Sequence, residues 1–136
     1  MEDTMLTKPM LMLSPVAAGF PSPAEQYAEE PLDLNRLLVS HPAATYFVRA
    51  AGDSMVGVGI HPGDILVVDR SLEATHDRIV IASLNSEFVV KRLCFRGGGA
   101  WLESANSRYA PIPLDGEVEC RFFGVVTAVI HRFIQV

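Results

Sequence analysis

Ser54 stands in the small-residue stretch Ala51-Gly52-Asp53-Ser54-Met55, directly after the run Thr45-Tyr46-Phe47-Val48-Arg49-Ala50. That run has the β-branched and aromatic content of a strand. Gly52 then permits a sharp turn, so the sequence offers one hydroxyl at a strand end. A serine in a glycine-containing turn is by default a turn residue, and its hydroxyl is a poor nucleophile until a base takes its proton. Lys91, in Glu87-Phe88-Val89-Val90-Lys91-Arg92-Leu93-Cys94-Phe95, is the candidate base. Read with a period of two, it shares a face with Val89, Leu93 and Phe95. A lysine at its ordinary pKa of about 10.4 is neutral in only roughly one molecule in 2,500 at pH 7, so burial must lower that value before the amine can act as a base. The alternative is a lysine whose stem packs while its head reaches water. These residues alone leave both open.

Composition narrows the remaining choices. A chain of 136 residues with 49% hydrophobic content supports one domain with a real core plus an arm. The net charge of −5, with no run of Lys and Arg, offers phosphates no cationic track. Direct nucleic-acid binding is therefore not expected. Cys94 and Cys120 are far apart and form no CxxC pair, which points to a reducing cytoplasm and no disulfide framework. His41, His61, His76 and His131 are scattered without ligand spacing, so no metal and no cofactor are expected. Met10-Leu11-Met12-Leu13 leading to Val16-Ala17-Ala18 faintly resembles a secretory segment, but Glu2 and Asp3 spoil its charge and Pro15 interrupts it. No stretch approaches the roughly 18 apolar residues of a membrane span.

The elements that must position Ser54 and Lys91 read as strands. Pro9, Pro15, Pro21, Pro23 and Pro31 make residues 1 to about 30 an extended arm, and residues 31–136 the folded domain. Asp33 can cap a short helix through Leu38, ended before Pro42. Strands are expected at about 45–50, 65–68, 79–84, 88–95, 101–103, 118–123 and 125–134. His61-Pro62-Gly63-Asp64 reads as a type II turn, Asn85-Ser86 as a hairpin turn, and residues 97–99 and 109–113 as loops. The expected architecture is mainly β, a compact and largely antiparallel barrel or sandwich. No pair of helices suits a helix-turn-helix.

Taken together, Ala18-Gly19-Phe20-Pro21-Ser22-Pro23-Ala24, Asp33-Leu34-Asn35, His41-Pro42, Ala44-Thr45-Tyr46-Phe47-Val48, Gly52-Asp53-Ser54-Met55, Gly63-Asp64 and Phe88-Val89-Val90-Lys91 closely resemble the UmuD-type SOS mutagenesis branch of the LexA-type self-cleaving serine peptidases. The resemblance runs from Ala18 to about Val129. It implies the compact LexA/signal-peptidase-like β fold and a Ser-Lys dyad, with Ser54 as nucleophile and Lys91 as general base. It also implies self-cleavage in the arm, and the matching bond is Ala18-Gly19. Ala18 follows the repressor pattern, since the mutagenesis branch usually carries cysteine there. Both side chains are small, as a narrow pocket requires.

On that resemblance the backbone N–H groups of Asp53 and Ser54 form the oxyanion hole, while the Asp53 carboxylate is a turn residue and not a third catalytic group. The family further implies cleavage stimulated by the RecA filament on single-stranded DNA. Its product is a homodimeric accessory subunit for a UmuC-like Y-family translesion polymerase, cytoplasmic and without membrane attachment. The competing reading is a non-cleaving interaction module that regulates such a polymerase through the same fold.

Overall fold

The computed structural model describes residues 9–13, 15–16 and 29–135. These fall into two compact units that divide between Leu37 and Leu38. In the first, strand β1 (Met10–Met12) pairs antiparallel with β2 (Glu29–Pro31), with Met10 opposite Pro31. The N–H of Leu32 closes this ladder on the Pro9 carbonyl at 3.1 Å. Helix α1 (Leu34–Leu38) follows, and Asp33 Oδ1 caps it by accepting the N–H of Asn35 at 3.0 Å and of Arg36 at 3.4 Å. An aspartate at that position satisfies donors that the first turn leaves without partners.

The second unit holds seven strands: β3 (Thr45–Arg49), β4 (Ile65–Asp69), β5 (Ile79–Leu84), β6 (Glu87–Arg96), β7 (Gly99–Glu103), β8 (Ile112–Pro113) and β9 (Cys120–Ile130). They form one antiparallel sheet in the order β3-β4-β9-β5-β6-β7-β8. The unit is mainly β and sandwich-like, and the sheet does not close into a barrel. Side-chain alternation along the strands builds two apolar clusters. Leu66, Val68 and Ile81 join Ala50, Met55 and Ile60 in one cluster, while Val80, Ala82, Leu93, Leu102 and Val125 form the other. Alternate residues of β5 thus serve different clusters, so both faces of the sheet centre are buried.

Local turn chemistry fixes the register. Gly63 has φ +90° and the Asp64 N–H reaches the His61 carbonyl at 3.0 Å, the geometry a type II turn demands. Asn85 and Ser86 both take positive φ, 47° and 73°, between the closing pair Leu84 and Glu87. That is the twist of a two-residue type I′ hairpin.

Beyond the pairing of β1 with β2 in the segment expected to be an extended arm, two elements of the second unit differ from the sequence reading. The strands expected at 118–123 and 125–134 are a single β9, and the glycine between them is a bend within it. Gly124 has φ +147°, and the pairing registers shift nearby, between Val67 and Val68 and between Ile81 and Ala82. A Cβ at 124 would lie 2.5 Å from Val68 Cγ1, so only glycine lets the strand bend there against β4. The second difference is β8, which lies within the segment expected to be a loop.

Asp69 links β4 to its surroundings. Its side chain, 5% exposed, accepts Ser71 Oγ at 2.6 Å and Ser71 N at 2.8 Å, and contacts His41 Nδ1 at 2.6 Å. The Ser71 hydroxyl and then His41 hold its carboxyl well below the usual value, at about 2. A depressed carboxylate stabilises the fold above its unfolded pKa, and that contribution is lost as pH falls through the folded one. Unfolding free energy should therefore decline between about pH 4 and pH 2. Asp69→Asn should flatten that decline in acid denaturation followed by circular dichroism.

Candidate active site

The turn after β3 owes its shape to three buried anchors. Ala50, Met55 and Ile60 are 7%, 2% and 4% exposed and belong to one apolar cluster. Between them Gly52 takes φ +78°, and a 3-10 turn over Val56–Val58 returns the chain. Ser54 immediately precedes Met55, so the side chain that fills the core also anchors the backbone that carries the hydroxyl.

A second segment, residues 104–109, clamps this turn. The N–H of Gly57 donates to the Ala105 carbonyl at 2.7 Å. Asn106 Nδ2 donates to the Asp53 carbonyl at 2.9 Å, and the Tyr109 hydroxyl donates to Asp53 Oδ1 at 2.6 Å. The Tyr109 hydrogen bond is the main reason the Asp53 carboxyl lies below its ordinary value, and Arg108, 3.8 Å away, adds to it. Asp53 therefore spends its carboxylate on holding the turn to this segment.

Its peptide link has a different consequence. In a trans peptide the carbonyl of residue 53 and the N–H of residue 54 point in opposite directions. Asn106, by gripping that carbonyl, aims the Ser54 N–H. A Cβ at Gly57 would sit 2.5 Å from the Ala105 oxygen. Gly57→Ala should thus cost about 1–3 kcal/mol in denaturant unfolding and loosen the turn.

Lys91 lies in the middle of β6, opposite Val80 of β5. It is 9% exposed, and burial lowers its amine below the usual lysine value. The amine lies 5.3 Å from the centre of the Tyr109 ring, a favourable position for any cationic fraction. Lys91 and Ser54 line one cleft of about 270 Å³, whose walls include Val48, Ala50, Ala51 and Ile81. Beside it, Val48, Ile81 and Phe88 also border an apolar groove of about 560 Å³ that continues to Tyr46 and Phe123. Among the described residues the hydrogen bond of the Lys91 amine runs to Ser104 Oγ, at 2.6 Å, and not to Ser54.

The fold thus brings Ser54, Asp53 and Lys91 to one place. Ala18 and Gly19 lie outside the described residues. Ser104, Asn106 and Tyr109 are the residues that the sequence reading missed. For Ser104 a signal exists: Gly97 and Gly98 form a two-residue turn that pairs Arg96 with Gly99 and Arg92 with Glu103. The same register, carried one step further, sets residue 104 opposite residue 91.

The histidines are also less scattered than their spacing implies. His131 Nδ1 lies 2.5 Å from Asp64 Oδ1, His61 Nδ1 lies 3.7 Å from Oδ2, and the His61 N–H donates to Oδ2 at 2.8 Å. One ligating atom from each of the three residues lies within 4.8 Å of the others. The Asp64 carboxyl, lowered chiefly by that backbone N–H, ties the turn to the end of β9. Both cysteines are free thiols. No helix among the described residues is long and apolar enough to cross a membrane.

The sequence profile of the Peptidase S24-like family matches residues 10–127. The chain is 54% identical over 124 residues to protein MucA of Escherichia coli, covering 90% of this chain and 82% of that protein. It is 52% identical over 115 residues to protein ImpA of Salmonella typhimurium, covering 85% and 78%. To the LexA repressor of Ectopseudomonas mendocina it is 41% identical over 118 residues, 86% of this chain but 57% of the repressor.

Proposed function

Because this chain belongs to the Peptidase S24-like family, we propose that it is a self-cleaving serine endopeptidase of the bacterial SOS response, with Ser54 as nucleophile and Lys91 as general base. The serine peptidase class and a role related to SOS mutagenesis come with the family and with the ImpA and MucA relatives. The observation that carries the finer reading is the shared cleft, in which a turn-borne hydroxyl and a buried, pKa-lowered amine face the same space.

In this reading the Ala18-Gly19 bond of the arm enters the cleft, where the small walls of Ala50 and Ala51 suit the Ala18 methyl. Ser54 Oγ attacks the Ala18 carbonyl as neutral Lys91 accepts the hydroxyl proton. Negative charge on the former carbonyl oxygen falls to the N–H groups of Asp53 and Ser54. Collapse expels the Gly19 amine, which takes the proton from Lys91, and leaves an ester between Ser54 and Ala18. Water, deprotonated by the Lys91 amine, then attacks this ester; residues 1–18 leave as the carboxylic acid and Lys91 returns the proton to Ser54 Oγ.

The RecA filament on single-stranded DNA accelerates the reaction by favouring the docked arm, since the observed rate scales with the competent population. Gly19 to Val136 then serves as a homodimer beside a UmuC-like Y-family polymerase. The test is a time course of purified full-length chain across neutral to alkaline pH, read by mass spectrometry. Fragments 1–18 and 19–136 should accumulate faster as pH rises. An intact chain at alkaline pH and with activated RecA would sink the proposal and favour the non-cleaving interaction module.

A further inference from the structure

We propose that Ser104 is a positioning residue for the Lys91 amine, holding it by a hydrogen bond that aims its lone pair into the cleft. The proposal rests on the reading of Lys91 as the base. A lysine side chain has four rotatable bonds and a freely rotating amine, so proximity alone does not direct the lone pair. An amine that must accept a proton from Ser54 needs its own N–H bonds anchored elsewhere. Ser104 Oγ, at 2.6 Å, is such an anchor and serves both protonation states, because it accepts an N–H from the charged or the neutral amine.

The anchor is itself fixed. Ser104 follows the last paired residue of β7, Glu103, which faces Arg92 of β6. The next residue, Ala105, takes the Gly57 N–H of the Ser54 turn, and Asn106 takes the Asp53 carbonyl. One short segment therefore touches both the proposed base and the turn of the proposed nucleophile, so their separation is set by hydrogen bonds rather than by the long lysine stem. The remaining groups facing the amine are few. Tyr109 lies beneath it, with its hydroxyl committed to Asp53, and the cleft that the amine lines also carries Ser54 and Arg49, whose guanidinium donates to the Gly63 carbonyl, among apolar walls.

The experiment compares self-cleavage rate against pH for the full chain, Ser104→Ala, Ser104→Thr and Lys91→Ala, with thermal melts as a folding check. Misplacing a catalytic group by about 1 Å costs on the order of 10²-fold. Ser104→Ala should therefore lower the alkaline plateau at least roughly 10-fold. Its midpoint should also move to lower pH, because the lost acceptor favoured the charged amine more than the neutral one. Ser104→Thr keeps the hydroxyl and should restore most of the plateau and the midpoint.

A purely structural serine would lower the melting temperature and leave the midpoint in place. If Ser104→Ala fails to fold, Ser104→Cys, close in size and a weak acceptor, replaces it with the same expected result. Wild-type plateau and midpoint in a folded Ser104→Ala or Ser104→Cys, with Lys91→Ala inactive, would overturn the positioning role and leave the dyad standing. Absence of cleavage in wild type, or undiminished cleavage in Lys91→Ala, would remove the dyad and this proposal with it.

Discussion

Purified Ser54→Ala protein should keep residues 1–18 attached under conditions where the wild type releases them. The expected loss is on the order of 10⁴-fold or more, because removing the nucleophile of a serine peptidase leaves only what the remaining site contributes. The substitution should hardly disturb the fold. Neighbouring Met55, at 2% exposed, anchors the turn, and the clamps to Ala105, Asn106 and Tyr109 run through Gly57 and Asp53 rather than through the Ser54 hydroxyl. Wild-type melting behaviour with no fragment in the mass spectrum is the outcome expected. Cleavage at the wild-type rate would mean that another group attacks the bond.

Lys91→Met should separate chemistry from stability. Methionine fills similar space without a charge, so cleavage should fall roughly 10²- to 10⁴-fold, the usual worth of a general base. Stability at neutral pH should rise. The reason is linkage: burial lowers the folded-state value of the amine, so across the window between that value and the ordinary lysine value near 10.4 the unfolded chain binds more protons than the folded one. Wild-type stability then climbs with pH through that window, while below it the full cost of burying the charge remains. The methionine variant lacks this term, and its advantage in urea unfolding should shrink as the solution becomes alkaline. An advantage that stays constant with pH would mean that the amine is solvated, and Lys91 could not be the base.

The candidate site is legible to an unequal degree along the chain. Ser54 showed itself through local rules, a strand followed by glycine and small residues, and Lys91 through a period-two pattern that set a charge among apolar neighbours. Both signals are short-range, and so is the cap at Asp33 or the type II turn at Gly63. The bend at Gly124 looked instead like a strand boundary, because glycine has the same local meaning at an end and at a bulge. Only the closeness of Val68, across the sheet, tells the two apart.

Sequence alone therefore determined the mainly β character, the placement of the hydroxyl at a strand end and the apolar company of the amine, all of which follow from backbone preference and side-chain period. Tertiary structure decided which groups meet: Ser104 with Lys91, Asn106 and Tyr109 with Asp53, and His131 with Asp64 across 67 positions of chain. Such pairings depend on strand order and register. Those are global outcomes of burying two apolar clusters at once, and no single stretch of residues encodes them.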